Sequence, residues 1–347
     1  MANLNDTITD GSAKFKVVKA ITNADLETIY NAWLPSTMYN IGDIAYVQSL
    51  AYRTCKKLVC VKAGTSGTTL ALSNTDEGAY ITDGTCAWVI DSFADGNYTA
   101  AHGNGIYRGA DITAYFNSGL MSTNIATGNF VGMHIGDYII KSITIDETIY
   151  SDVKWIIGDL DYHLHRGNSE ITTHHVMVFP EGVFGYHRMN ETDTTEGGYV
   201  GSEMWTVTIP KYVTGIRNAF GESHVLNHRE LLTTSVDMTI PSKGWPKQIG
   251  MADNWVWTTV TVNIFNEAMI YGTTPFGSSG YDVGECNTQV AAMRLNKSLS
   301  FSRSGWFWLR AVSTGARFAC ANYDGAARSA VYPSSLSGHI RFYFLLT

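Results

Sequence analysis

The chain has 347 residues, of which 45% are hydrophobic and only 16% are charged, and its formal charge is −7. This charge excludes nucleic-acid binding driven by bulk positive charge, and the many aromatic residues exclude intrinsic disorder. The sequence has no run of roughly 18 apolar residues and no signal-peptide pattern at its start, so we expect cytoplasmic synthesis without membrane insertion.

The first 34 residues contain half of an internal repeat and one helical pattern. Residues 7–18 (TITDGSAKFKVV) resemble residues 80–90 (YITDGTCAWVI), and each copy predicts a turn followed by a strand. Between the copies, Leu26, Ile29, Tyr30 and Trp33 recur at helical spacing and predict a helix over residues 23–33. Its apolar face would pack either on partner helices in a trimer or on the next module. We assign residues 1–34 to attachment and oligomerisation.

Residues 35–95 have the pattern of a small β-module. Three or four short strands alternate with Gly-Asp and Gly-Thr-Ser-Gly turns, and residues 95–97 (DGN) predict a linker. An odd number of cysteines without a CxxC pair argues against a disulfide framework and a cysteine-rich zinc site. We expect all five to be small buried side chains: Cys55, Cys60, Cys86, Cys286 and Cys320.

Residues 98–347 alternate short strands with polar and glycine-rich loops, and they contain no further boundary. Strands are predicted over residues 137–145, 154–164 and 174–180, and helices over residues 111–119 and near 228–236. At the end of the chain, Ile340, Phe342, Phe344 and Leu346 alternate with more polar neighbours, which predicts a strand with two different faces. The fold class is therefore α+β, dominated by strands.

Two groups of side chains could bind a metal, and a structural role is favoured for both. One is a set of histidines without a carboxylate or cysteine at suitable spacing: His163, His165, His174, His175 and His187. His224 and His228 would share a helical face, but the order of a zinc-protease motif is missing.

The other group is a set of acids in residues 189–204 that could bind Ca²⁺ at a spacing unlike an EF-hand: Glu191, Asp193, Glu196 and Glu203. The sequence also lacks the nucleophile-elbow, P-loop and dinucleotide motifs. We expect no enzyme activity, no metal and no cofactor, with calcium as a minor option.

The C-terminal stretch, residues 306–346, combines apolar anchors with polar residues that a core does not require. The anchors are Trp306, Trp308, Leu309, Val312, Phe318 and Cys320, and a hairpin is predicted around Asp324 and Gly325. Tyrosine, serine, asparagine and arginine are also common in evolved binding surfaces. The candidate ligand-binding residues are Ser313, Thr314, Ala316, Arg317, Asn322, Tyr323, Asp324, Arg328, Ser329, Tyr332 and Ser335. An ordinary solvated hairpin is the alternative interpretation.

The module resembles small β-modules of phage tail fibres and related carbohydrate-binding modules. Those carry the patterns W-x-x-x-T-x-Y-x-x-G-D, C-x-x-A-G-T-S-G and T-D-G-T-x-x-W. The matching positions, over about 60 residues, are Trp33, Tyr39, Gly42, Asp43, Cys60, Ala63 to Gly67, Asp83, Gly84, Thr85 and Trp88.

The larger part resembles phage and prophage structural proteins. Its ending is similar to variable C-type-lectin domains that retroelements diversify, of the formylglycine-generating-enzyme branch. The WLR…FA…G…R-x-x-F-L ending carries this resemblance over about 250 residues. The usual G-V-R-P is here Gly338-His339-Ile340-Arg341-Phe342, with an added histidine and no proline. The formylglycine-generating relatives hold copper with cysteines, and we do not carry that activity over.

The resemblance implies a phage tail adhesin with a lectin-like domain at residues 98–347. The expected ligand is a host cell-surface protein or glycan, and the expected partners are other phage tail proteins in a homotrimeric fibre. The protein would be made in the bacterial cytoplasm and would act in the virion. Two alternatives remain open, a tail-associated glycan hydrolase or depolymerase and a purely structural baseplate or fibre protein.

Overall fold

The computed structural model describes residues 7–10, 13–16, 31–49, 54–70, 72, 74–237, 251–276, 288–314, 316–329 and 331–347. The chain divides into two compact units, Met1–Gly96 and Asn97–Thr347. This division falls within the segment for which the sequence predicts a linker. The fold is α+β and dominated by strands, as predicted. Among the described residues, none of the helices combines the length and apolar character needed to cross a lipid bilayer.

Both copies of the sequence repeat fold as antiparallel hairpins with the same register. The first consists of β1 (Thr7–Asp10) and β2 (Ala13–Lys16), in which Asp10 lies opposite Ala13. In the second copy, Asp83 lies opposite Cys86 in the same way. The shared ITDG sequence therefore specifies a two-residue connection, as expected for hairpins with glycine in the turn.

Most of the helix predicted over residues 23–33 lies outside the described residues. At its predicted end, Asn31 has a φ of 49° and Ala32 forms a parallel bridge with Tyr46. Trp33 is therefore extended and does not complete the helical face that its spacing predicts. Its indole instead belongs to the core of the module.

The module is a four-stranded sheet with a small accessory sheet. Its strands are β3 (Met38–Tyr39), β4 (Ile44–Ser49), β5 (Thr54–Lys62), β6 (Gly64–Thr65), β7 (Tyr80–Asp83) and β8 (Cys86–Ile90). The main sheet has the order β4-β5-β8-β7, and β3 pairs with β6. Leu58, Cys60, Ile81 and Trp88 form much of its core.

The cysteine prediction holds for three positions and is wrong for one. Cys60, Cys86 and Cys320 are buried free thiols, whereas Cys55 near the start of β5 is exposed. Strand alternation explains the error, because Cys55 and Cys60 are an odd number of residues apart and point to opposite faces. Cys286 lies outside the described residues.

In the described part of the second unit, six short or medium helices accompany two main sheets. The helices are α1 (Ala100–Gly103), α2 (Thr113–Asn117), α3 (Leu120–Ala126), α4 (Ile209–Phe220), α5 (Glu267–Tyr271) and α6 (Ala291–Leu295). A π-helical turn at Met204–Thr208 precedes α4, and a 3₁₀ turn covers Lys297–Ser300. Helix α2 lies within the range predicted for it.

A six-stranded sheet forms the core of this unit. Its strands are β9 (Tyr138–Ile145), β10 (Thr148–Leu160), β11 (Val176–Pro180), β13 (Val225–Leu226), β16 (Val262–Ile264) and β21 (Phe342–Leu346). The order is β13-β21-β11-β10-β9, and β16 also pairs with β21. Strand β21 is paired along both edges, so every one of its residues is buried. The two-faced strand predicted at the C-terminus thus buries both faces.

The helix predicted near residues 228–236 is wrong. The segment forms β14 (His228–Asp237), which pairs with β15 (Met251–Val260). The β-branched residues Thr233 and Val236 favour a strand, and a long partner strand completes the ladder. Helix α4 was not predicted, although Ile209, Tyr212, Ile216 and Phe220 fall on one buried face.

A second, five-stranded sheet carries the C-terminal stretch. It consists of β12 (Phe184–Tyr186), β17 (Phe307–Thr314), β18 (Arg317–Ala321), β19 (Ala327–Arg328) and β20 (His339–Ile340). The order is β12-β20-β17-β18-β19. β18 and β19 form the hairpin predicted around Asp324 and Gly325. This sheet positions the candidate site.

Candidate functional site

The apolar anchors of the C-terminal stretch fix β17 and β18 against the core. Five of the six predicted anchors are buried: Trp308, Leu309, Val312, Phe318 and Cys320. Trp306 is half-buried and meets the Trp308 ring edge-on, with 4.8 Å between centroids. Burial raises the pKa of the Cys320 thiol to about 12, so this cysteine stays protonated and packs as a small apolar side chain.

The eleven predicted ligand-binding residues differ in exposure. Tyr323, Asp324, Arg328 and Tyr332 are exposed, Ala316, Arg317, Ser329 and Ser335 are half-buried, and Ser313 and Asn322 are buried. Thr314 ends β17, and its side chain lies outside what the structure describes. Most of the candidates with described side chains thus reach the surface of one sheet and its loops.

The side chains of Ser313 and Asn322 form hydrogen bonds within the hairpins and do not project from the surface. The Ser313 hydroxyl donates to the Arg317 carbonyl at 3.0 Å, and the Asn322 amide donates to the Asp324 carboxylate at 2.8 Å. Both side chains satisfy their polar groups inside the fold, where a ligand on the sheet surface does not reach them.

Arg317 and Tyr332 form a stacked pair on the surface. The guanidinium carbon lies 4.7 Å from the centre of the Tyr332 ring, and a guanidinium N–H donates to the Tyr332 hydroxyl at 3.2 Å. The Tyr332 side chain is 48% exposed. Among the described residues, no carboxylate pairs with Arg317. The pair therefore offers a positive charge held flat on an aromatic ring.

The β18–β19 turn is organised by Asp324 and exposes Tyr323 at its tip. The Asp324 carboxylate accepts from the Ala326 amide at 3.0 Å and from Asn322, and both hydrogen bonds lower the pKa of Asp324. Gly325 has a φ of 86°, a conformation that favours glycine. Asp324 is exposed, but it also has a structural role because its carboxylate holds the turn. Tyr323 beside it is 58% exposed.

The loop of residues 333–338 is fixed by the segment that follows β12. The amides of Met189 and Asn190 both donate to the Pro333 carbonyl, and the His187 amide donates to the Gly338 carbonyl at 2.7 Å. Ser334 donates to the Asp193 carboxylate through its amide and its hydroxyl. This polar loop is therefore held along its length.

The acidic side chains of residues 189–204 either bind different partners or are exposed. Asp193 accepts from Ser334, Glu203 accepts from Arg188 at 2.8 Å, and Glu191 and Glu196 are exposed. Within the described part of the chain, these carboxylates do not converge on a common point where Ca²⁺ could bind.

One exposed aromatic pair on the sheet was not among the predicted residues. The Tyr186 and His339 rings lie 4.4 Å apart at 34°, on the paired strands β12 and β20. Tyr186 is 67% exposed. Tyr186 lies 120 residues before the C-terminal stretch, so no local sequence pattern connects it to that stretch. The pairing of β12 with β20 brings the two segments together.

The predicted histidine group is dispersed. His165 pairs with Glu170 at 3.4 Å, His174 with Asp161 at 2.7 Å and His187 with Tyr212 at 2.9 Å. The His175 ring accepts from the His163 amide at 3.1 Å, and burial lowers the pKa of His175 to about 4.

His163 instead meets His228 and Glu230 in a buried cluster. One ligand atom from each of these residues lies within 4.8 Å of the others. His228 and Glu230 are two residues apart on β14, so their side chains point to the same face of the strand. The sequence predicts a helix here, and residues two apart on a helix do not share a face, so this pair was not expected.

Neighbouring side chains already occupy the carboxylate of this cluster. The His163 and His228 rings lie with 4.0 Å between centroids at an interplanar angle of 40°. The Glu230 carboxylate accepts from His228 at 2.6 Å and also binds the Tyr343 hydroxyl and the Arg310 guanidinium. Burial acts to raise the pKa of Glu230, but Arg310 and His228 outweigh it and lower that pKa. The cluster is a buried network that links β14, β17 and β21.

A polar groove lies between β9 and α4. Its volume is about 590 Å³, and it is lined by Asp146, Glu147, Lys211, Thr214 and Asn218 among others. The Asp146 carboxylate is bound by Lys211.

The motif residues of the β-module converge on the Asp83 carboxylate. It accepts from the Trp33 indole at 2.7 Å, the Trp88 indole at 2.9 Å and the Gly67 amide at 2.7 Å. Asp83 is buried, and these donors satisfy its charge. The aspartate and tryptophans of this motif therefore hold the module together.

No protein-family model, curated protein or solved structure matches this chain.

Proposed function

We propose that the chain is a phage tail adhesin that binds a host cell surface through its C-terminal five-stranded sheet. The observation that carries the proposal is the separation between anchors and displayed residues on that sheet. Trp308 and Phe318 are buried in β17 and β18, whereas Tyr323, Arg328 and Tyr332 are exposed on the turn, strand and loop that follow. Such a surface can change its contacts while the core that supports it stays the same.

Weak contacts from each copy would give tight attachment when several copies engage one cell. Linking binding sites raises the overall avidity by about 10²–10⁴ over a single contact when the geometry permits simultaneous binding. In this proposal the chain forms a homotrimer, and the N-terminal residues connect it to other phage tail proteins. Light scattering of the purified full chain tests this arrangement, and a stable monomer at micromolar concentration would contradict it.

Binding to intact bacteria tests the adhesin proposal. The fluorescently labelled full chain is added to a panel of bacterial strains, and binding is measured by flow cytometry. We expect the triple variant Arg317→Ala, Tyr323→Ala and Arg328→Ala to lose binding to every strain that the wild type binds. Lys62→Gln, an exposed charge in the other compact unit, serves as the matched control.

The same cells distinguish the alternatives. Full binding by a folded triple variant would contradict the adhesin proposal and favour a structural fibre protein. Shortening of the purified host polysaccharide during incubation would favour the hydrolase or depolymerase.

A further inference from the structure

We propose that the ligand of this surface is an oligosaccharide that carries carboxylate groups and contacts two aromatic sites, one at each end of the loop of residues 333–338. We call the residues proposed to contact it the loop patch: Tyr186, Arg317, Tyr332, Leu336 and His339. The inference rests on the proposed function and names the chemical class of its ligand.

The first aromatic site is the Arg317–Tyr332 pair. The guanidinium lies over the Tyr332 ring and bonds its hydroxyl, so the charge is held in one orientation. No carboxylate among the described residues neutralises it, and Asp324 in the β18–β19 turn pairs with Arg328 at 3.7 Å. A planar guanidinium with free N–H groups binds a carboxylate through two parallel hydrogen bonds.

The second aromatic site is the Tyr186–His339 pair. His339 is fixed because its Nδ1 lies 2.9 Å from the Gly185 carbonyl, and a Cβ on Gly305 would come within 2.3 Å of its ring. Tyr186 packs against this ring at 34° and is 67% exposed. A rigid, exposed aromatic face of this kind packs against the C–H groups of a sugar ring with little loss of side-chain entropy.

The loop of residues 333–338 joins the two sites and holds them in place. Tyr332 immediately precedes it and His339 immediately follows it, so their backbones are within about 23 Å of each other at full chain extension. Backbone hydrogen bonds from His187, Met189 and Asn190 fix the loop. A ligand that contacts both rings must cross this loop, which an oligosaccharide can do.

The composition of the loop patch favours a glycan over a protein. Leu336 is its one exposed aliphatic side chain, and Ser335 and Ser337 flank it with hydroxyl groups that bond each other at 2.8 Å. Serine hydroxyls and tyrosine rings match the hydroxyl and C–H faces of sugars, and Arg317 supplies the preference for an acid.

Calorimetry with matched glycans tests the proposal on the full chain. The probes are tetrasaccharides of galacturonate, of mannuronate and of alternating glucuronate and N-acetylglucosamine, each also prepared as its neutral methyl ester. We expect at least one acid form to bind about tenfold or more tightly than its ester, as loss of a charged hydrogen bond implies. Arg317→Gln should abolish this preference, because glutamine keeps a polar group and removes the charge.

Tyr186→Ala tests whether the second aromatic site takes part. We expect it to weaken tetrasaccharide binding about fivefold, as loss of an aromatic contact implies, and to leave binding of the monosaccharide acid unchanged. Ile149→Ala is the control, since Ile149 is 69% exposed on the β9–β10 hairpin. Unfolding temperatures of all variants are measured in parallel to show that each is folded.

Three results would overturn the proposal. They are equal binding of acid and ester forms, an unchanged preference in Arg317→Gln, and no binding of any tetrasaccharide by a chain that binds bacteria. In the last case the adhesin function stands and its ligand is of another class. If the chain binds neither glycans nor bacteria, the proposed function fails with it.

Discussion

At the scale of single residues, the Asp83 carboxylate is the centre of the β-module. Three N–H donors converge on a buried acid, two of them from tryptophan indoles that are 55 residues apart in sequence. Such a charge-assisted set is costly to disrupt because the buried Trp88 indole and two part-buried donors would lose their partner.

We expect Asp83→Ala to destabilise the first unit by about 3 kcal/mol, since one buried and two part-buried donors lose their acceptor. Tryptophan fluorescence during urea unfolding measures this directly, because Trp33 and Trp88 both bond the carboxylate. Asp76→Asn, an exposed acid in the same unit, is the control and should leave the midpoint unchanged. Equal midpoints for both variants would show that the carboxylate does not hold the module.

Arg341 has a comparable role in the second unit. Its buried guanidinium donates to the carbonyls of Pro180, Leu299 and Glu181, and it lies between the rings of Phe179 and Phe307. Burial lowers the pKa of Arg341 to about 9. The residue joins three segments of backbone near β20 and β21.

Arg341→Lys should cost about 3 kcal/mol of unfolding free energy, because a lysine cannot span three carbonyls and cannot stack between two rings. Urea unfolding monitored by circular dichroism gives the difference. The exposed Arg303→Lys is the matched control. A loss below about 0.5 kcal/mol, the size of an ordinary surface substitution, would contradict this role.

At the scale of elements, the contact between α4 and β9 depends on one glycine. A Cβ on Gly215 would come within 2.6 Å of the Thr144 carbonyl oxygen. The helix lies this close to the sheet because Gly215 has no side chain. The backbone of β9 cannot move away without disturbing its pairing with β10.

Gly215→Ala should therefore destabilise the second unit by about 2 kcal/mol, although alanine is the better helix former. Thr214→Ala, one residue earlier on the exposed side of α4, should be neutral or slightly stabilising. Thermal unfolding of the two variants and the wild type separates the effect of close packing from that of helix propensity. If Gly215→Ala unfolds at a higher temperature than the wild type, the contact between Gly215 and Thr144 does not require a glycine.

The elements that the sequence predicts correctly are those whose pattern is local. The ITDG hairpin, the strand at Val176–Pro180 and the turn at Asp324 and Gly325 follow from alternation and turn residues. The strand at residues 228–236, for which the sequence predicts a helix, was not recognised because its partner strand, Met251–Val260, is distant in sequence. Helix α4 was not predicted; Pro210 lies in its first turn and Gly215 at a packing contact, so neither residue breaks the helix.

At the scale of the whole molecule, the candidate surface could be predicted only in part. The anchors and the exposed Tyr323, Arg328 and Tyr332 follow from composition along one segment. Tyr186 reaches the surface only through strand pairing, and the burial of Ser313 and Asn322 depends on hydrogen bonds within folded hairpins. Tertiary contacts of this kind produce no sequence pattern with a fixed spacing between residues, so they could not be predicted from the sequence.

The stability of the second unit should depend on pH through Asp159. Burial raises the pKa of Asp159 to about 7 against the opposing effects of the Ala291 amide, Arg294, Asn104 and Arg166. Because the folded state retains a proton that the unfolded chain releases near pH 4, this contribution is full below pH 4 and is lost as pH rises to 7.

We expect Asp159→Asn to remove this dependence. The unfolding free energy of wild type minus that of the variant should fall between pH 4 and pH 7 and stay constant above pH 7.5. Urea unfolding across this range measures it, and both proteins share the opposing contribution of His175. Parallel pH profiles would contradict the raised pKa.

The central claim is that the displayed residues of the five-stranded sheet determine binding while the buried anchors determine stability. A library randomised at Arg317, Tyr323, Arg328 and Tyr332 tests it most directly, with bacterial binding and unfolding temperature measured for each member. We predict that most members unfold within a few degrees of wild type but lose cell binding or bind different strains. Members that keep the original binding, or that mostly fail to fold, would contradict this account.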